Sequence, residues 1–183
     1  IPEDVLQEML PFMNIPSLLA FAKNSPVYER WVITHLDLSL NNALRMFVDD
    51  PRGLRSLMRL LGAVISGSFA LAFMVRDDNL RFTPNDLDVY LPAQYGRRFA
   101  QYLVDVEGYA VVGQTRLPYG MAHEVVLALG KGSSRIEVIP STSGSALLPI
   151  AHFWSSHVKN FISADTFCVA YPEQTFKGRG LLS

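Results

Sequence analysis

Asn85-Asp-Leu-Asp-Val-Tyr-Leu91 decides how this chain is read. From Asp86 to Leu91 polar and apolar residues alternate with period two, the pattern of a half-buried strand, and Pro92 closes it. Residues i and i+2 of a strand share a face, so Asp86 and Asp88 stand side by side. Tyr90 leaves on that same face, while Leu87, Val89 and Leu91 point into a core. Two neighbouring carboxylates repel each other unless a positive charge lies between them. A hard divalent cation such as Mg²⁺ answers that need with oxygen ligands. Taken alone, the pair equally suits the solvated face of an edge strand.

Upstream, Ala63-Val-Ile-Ser66 is a short apolar run that ends at Gly67-Ser68, and a helical stretch follows from Phe69 to Met74. Glycine permits close backbone approach there, and a helix N-terminus offers N–H groups to phosphate oxygens. A polar loop from Arg76 to Asn85 separates this turn from the acids. Downstream, Ala93 to Val106 reads as a helix. Tyr109 to Thr115, Glu124 to Leu129 and Arg135 to Ile139 read as strands, the last two joined through Gly130-Lys-Gly132. Glu137 lies between Ile136 and Val138 and so faces away from both. Singly, a Gly-Ser turn and an exposed strand glutamate are commonplace. Together, a phosphate-holding turn and three strand carboxylates are the parts of a two-metal phosphoryl-transfer site.

The first sixty residues read as five helices. Their starts are marked by Pro2, Pro16, Ser25-Pro26, Asp37 or Ser39, and Pro51, and the fifth ends near Gly62. The tail carries a helix around Leu147 to Trp154, a second near His157 to Phe161, and an apolar run from Thr166 to Tyr171. The expected fold class is α+β: a helical segment over 1–60, then a mixed β-sheet with flanking helices over 61–183.

The 183 residues are 49% hydrophobic and 18% charged, enough for a packed core, and the net charge of −1 gives no general pull toward nucleic acid or membrane. No apolar stretch approaches the ~20 residues of a membrane span, and the opening lacks a signal-peptide pattern. The expectation is an intracellular protein, in cytoplasm or nucleus. A single cysteine, Cys168, excludes an internal disulfide and reads as a buried strand residue. His35, His123, His152 and His157 lack metal-ligand spacing and read as structural or surface residues. The serines between Ser133 and Ser145 have no His–acid pattern beside them, and Trp31 and Trp154 read as core anchors.

The span from Ile65 to Glu137 resembles the DNA polymerase β-like nucleotidyltransferase superfamily. Ser66-Gly-Ser-Phe-Ala-Leu-Ala72 followed by Asn85-Asp-Leu-Asp-Val89 is most similar to its small toxin-type members. The resemblance implies nucleoside triphosphate binding at Gly67 and Ser68, and Mg²⁺ or Mn²⁺ ligation by Asp86, Asp88 and Glu137. It also implies transfer of a nucleotidyl group to a hydroxyl acceptor on RNA, protein or a small molecule. Arg76, Arg81, Lys131 and Arg135 are the candidates for triphosphate contacts. The stretch from Gly67 to Asp86 is longer than in most members and carries its own acids, Asp77 and Asp78. The part after Glu137 is short for the helical domain that members use for base and acceptor. A nucleotide-binding module without turnover is therefore the alternative. Ile1-Pro-Glu-Asp-Val-Leu-Gln-Glu-Met-Leu10, Ile15-Pro-Ser-Leu-Leu-Ala-Phe-Ala22 and Ser25 resemble an F-box, which implies docking to a Skp-type adaptor protein. A helical cap packed on the sheet is the plainer reading of the same residues.

Overall fold

The structure, a computed structural model, describes residues 2–75, 82–116 and 125–182. The chain begins with helix α1 (Glu3–Met9), a 3₁₀ turn at Leu10–Phe12, α2 (Ile15–Ala22), α3 (Pro26–Leu44) and α4 (Pro51–Leu61). Side-chain caps and prolines set these starts. Asn14 accepts from the Ser17 N–H at 2.9 Å, Ser25 from Val27 at 3.2 Å, and Asp50 from Gly53 at 3.0 Å. Gly62, at φ +64°, ends α4 in the left-handed region.

One expected boundary is absent. Asp37 and Ser39 do not cap a new helix but lie inside α3, which runs unbroken for 19 residues. No proline or glycine interrupts residues 27–44, and Asp37 has partners elsewhere. Its carboxylate takes Arg55 Nη1 of α4 at 2.6 Å and Asn41 Nδ2 at 3.2 Å.

Strand β1 (Val64–Ser66) then runs straight into α5 (Gly67–Met74). β2 (Leu87–Pro92), α6 (Gly96–Asp105), β3 (Ala110–Arg116), β4 (Val125–Lys131) and β5 (Ser134–Ser141) follow. The tail adds α7 (Leu147–Ala151), β6 (Phe161–Ile162), β7 (Phe167–Cys168) and α8 (Pro172–Thr175). Among the described residues the strands form one mixed sheet of seven in the order β3-β4-β5-β2-β1-β6-β7. The β2–β5 pair is parallel and the other neighbours are antiparallel. The chain is thus α+β, with a mixed sheet and flanking helices.

The two faces of the sheet are covered differently. Ile65, Leu87, Val89, Leu91, Ile136 and Val138 face a large core shared with α3, α4, α5 and α6. On the other face Val64, Tyr90, Val126 and Ile139 meet α7 through Ile150, with Phe153 beside them. A satellite cluster of Leu10, Ile15, Leu18 and Val32 holds the first helices together, and Trp31 packs against it.

Four tail and turn expectations change. The β4–β5 turn falls on Gly132-Ser133, because Lys131 still pairs with Ser134 and Gly132 supplies the positive φ of +57°. Residues 157–161 form a 3₁₀ turn at Ser156–Val158 and then β6, since Ile162 pairs with Ile65. Trp154 lies beyond the end of α7 and is 67% exposed, so it anchors no core. Cys168 is exposed rather than buried, on the two-residue edge strand β7.

Candidate functional site

Sheet register assembles the site. Asp88 in β2 stands opposite Ser66 in β1 and opposite Glu137 in β5. Directly paired residues project to the same face, so Asp88 and Glu137, 49 positions apart in sequence, become neighbours across a parallel pair. Asp86 precedes β2 by one residue and closes the group from the loop side. Its Oδ1 accepts from Ser68 Oγ at 3.4 Å.

The Gly67-Ser68 turn lies hard against the acids. Gly67 has φ +68°, and a Cβ built there would stand 2.3 Å from Asp88 Oδ2. Only glycine lets the start of α5 approach this carboxylate so closely. Ser66, fully buried, directs its hydroxyl to the carbonyls of Asn160 and Val158 and provides no side-chain cap to α5. The first N–H groups of that helix thus lie beside the acid cluster without a side-chain cap from Ser66.

Crowding shifts the proton affinities. Burial, and then the negative charges of Asp86 and Glu137, push the Asp88 carboxyl up to about 7; Arg135 opposes the rise. Burial is again the first cause at Tyr90, followed by the three carboxylates, and its phenol is raised well above the ordinary range. Tyr90 shares the face of the acids, as the alternation expects. It lies buried below them, edge-on to Phe153 at 5.7 Å between ring centres.

Of the expected cations among the described residues, Arg135 reaches the cluster. It sits two residues from Glu137 on β5 and donates to Glu137 Oε1 from Nη2 at 2.6 Å and from Nε at 3.1 Å. Lys131 turns away to Asp49, at 2.6 Å. Arg76, Arg81, Asp77, Asp78, His123 and Glu124 lie outside the described residues. Among the described residues, no three His, Cys, Asp or Glu side chains converge closely enough to share a metal ion. Glu137 is turned toward Arg135 rather than toward the two aspartates. Cavities of about 610, 550 and 520 Å³ open elsewhere, and none includes Asp86, Asp88 or Glu137 in its lining.

The donor set nonetheless suits a hard divalent cation. It consists of carboxylate oxygens, one of them pushed up to about 7 by burial and then by its acidic neighbours, and a glycine turn that a Cβ would fill. Sequence reasoning missed the pairing of Arg135 with Glu137, although their i, i+2 spacing on a strand was the available signal. It placed Ser66 in the turn but missed its buried hydrogen bonds, which depend on carbonyls 92 and 94 positions away. Comparison with protein-family models, with curated proteins and with solved structures finds no match for this chain.

Proposed function

We propose that this chain is a divalent-metal-dependent nucleotidyltransferase. The observation that carries the reading is the row formed by Asp88 and Glu137 in register, with Asp86 beside them and the Gly67 turn pressed on Asp88. Asp86 and Asp88 would hold Mg²⁺ or Mn²⁺, and Glu137 would join them once free of Arg135. The metal, when bound, would neutralise phosphate charge.

The protein's own groups have distinct tasks in this reading. The first N–H groups of α5 and the Ser68 hydroxyl hold phosphate oxygens of a nucleoside triphosphate. Arg135, 53% exposed along its side chain, is long enough to exchange Glu137 for a phosphate. An acceptor hydroxyl oxygen attacks the α-phosphorus in line. The bond from that phosphorus to the bridging oxygen breaks, pyrophosphate leaves, and a carboxylate of the cluster takes the hydroxyl proton. The acceptor class, on RNA, protein or a small molecule, follows from the substrate found.

Thermal melts with Mg²⁺ or Mn²⁺ and each nucleoside triphosphate test the reading. A ligand that binds only the folded state raises the melting temperature by mass action. A metal-dependent rise with one nucleotide, lost in Asp86→Asn/Asp88→Asn, supports it; no rise with any nucleotide removes it.

A second reading, an F-box-type adaptor or binding module without turnover, is favoured by one feature. Val5, Met9 and Phe12 of the first helices are exposed, Phe12 by 90%. Such apolar side chains suit a Skp-type adaptor protein. Capture of purified Skp-type protein by the wild type but not by Phe12→Ser would support this reading. An intracellular location belongs to both proposals; no helix among the described residues is long and apolar enough to cross a membrane.

A further inference from the structure

α2, α3 and the β6–β7 hairpin border a cleft of about 520 Å³ in which the acid cluster has no part. Leu36 of α3, Phe73 of α5 and Phe167 of β7 give it hydrocarbon walls, the two rings meeting edge-on at 6.3 Å between centres. Leu19 and Ile33, which also line it, stay 44% and 58% exposed. A contiguous apolar surface left in water with a polar rim marks a place where something binds. The volume falls among those of small-molecule sites, roughly 300–1,000 Å³, whose walls are mostly apolar with a few polar groups.

The cleft is long. On α3 its lining residues run from Glu29 through Val32, Ile33, Leu36 and Asp37 to Leu40, the spacing of one helix face. At 1.5 Å of rise per residue, that stripe extends for about 16 Å.

Its charge is one-sided. Among the described lining residues Glu29, Asp37 and Asp165 are acids, and Arg55 is the one base. Arg55 is committed: its guanidinium donates to Asp37 at 2.6 Å, to Asn41 at 2.9 Å and to the Ala164 carbonyl at 2.9 Å. Asp165 is likewise held by Arg59. Glu29 is exposed and takes part in no ion pair among the described residues. An apolar trough with a spare carboxylate at one end complements a hydrocarbon that ends in a cation.

We propose that this cleft binds an elongated apolar molecule carrying a primary amine. The hydrocarbon lies on Leu36, Phe73 and Phe167, and the ammonium donates to the Glu29 carboxylate.

Octylamine, octanol and octanoate, equal in chain length and different in charge, are the probes. Each is titrated into the whole chain at neutral pH and followed by NMR shifts and melting temperature. The expected order is amine, alcohol, carboxylate. Octylamine should bind about fivefold tighter than octanol, the upper worth of an exposed ion pair. The shifts should fall on Ile33, Leu36 and Phe167. Glu29→Gln, a change at an exposed position, should bring octylamine within about twofold of octanol while both still bind. Equal binding of amine and alcohol by the wild type would overturn the proposal, as would an amine preference that survives Glu29→Gln. Binding of none of the three would overturn it too. A basic amphipathic helical peptide that shifts the same resonances would then assign the cleft to a protein partner.

Discussion

At Asp88 a single carboxyl couples the site to stability. Its proton affinity is raised from the ordinary 3.8 to about 7, so the folded chain keeps a proton that the unfolded chain releases. The favourable contribution is complete below about pH 4, declines as pH rises toward 7, and is gone above that. In metal-free buffer at pH 8, Asp88→Asn should therefore stabilise the protein, by up to about 4 kcal/mol. Near pH 4 the wild type and the variant should melt together, and denaturant titrations at the two pH values check this.

Arg135 gives a second prediction at the same scale. Its charge already faces Glu137, so Arg135→Gln should tighten Mn²⁺ binding without nucleotide severalfold, by removing a competing cation. Calorimetric titration of Mn²⁺ measures it, and weaker Mn²⁺ binding would contradict it. At Gly67 the constraint is steric. Gly67→Ala should cost about 2 kcal/mol or more from the positive φ together with the collision at Asp88. Adding Asp88→Ala should recover only part of that loss, because the backbone strain remains.

At the scale of elements, the entry to α4 depends on a buried acid from another helix's end. Glu107, 2% exposed, accepts the N–H groups of Asp49 at 2.7 Å and Asp50 at 3.2 Å. Glu107→Ala should destabilise the fold by about 2 kcal/mol, read from urea unfolding, because two backbone donors lose their charged partner. The strands and helices themselves were largely legible. The alternation at Asp86–Leu91, the Gly67 turn and the Pro51 and Gly62 boundaries are local signals, and each marks an element in place. The reading failed where tertiary partners outweigh local preference. Asp37 resembles a cap until Arg55 is seen to hold it inside α3, and residues 157–161 resemble a helix until Ile65 pairs with Ile162.

Across the whole molecule, the candidate site was legible as composition and not as geometry. Acids at Asp86, Asp88 and Glu137 could be picked from strand patterns, but no pattern says which strands are neighbours. The sheet order places β2 between β1 and β5, and that alone brings Asp88 beside Glu137. Arg135 turning Glu137 aside is equally a matter of side-chain direction. The same topology separates the functions of the two faces: one closes on a continuous apolar core, while the other carries the carboxylates above Tyr90.

The hydrogen bonds of Ser66 to residues 158 and 160 tie the start of the site to the last quarter of the chain. Pairing over such separations delays closure, because long loops must form before any contact rewards them. A ribosome-bound chain that has released only β1, α5 and β2 still lacks β5 beside Asp88 and the carbonyls that fix Ser66. The acid row thus waits on β5, and a nascent chain cannot display it with Ser66 fixed before residues 137, 158 and 160 have emerged.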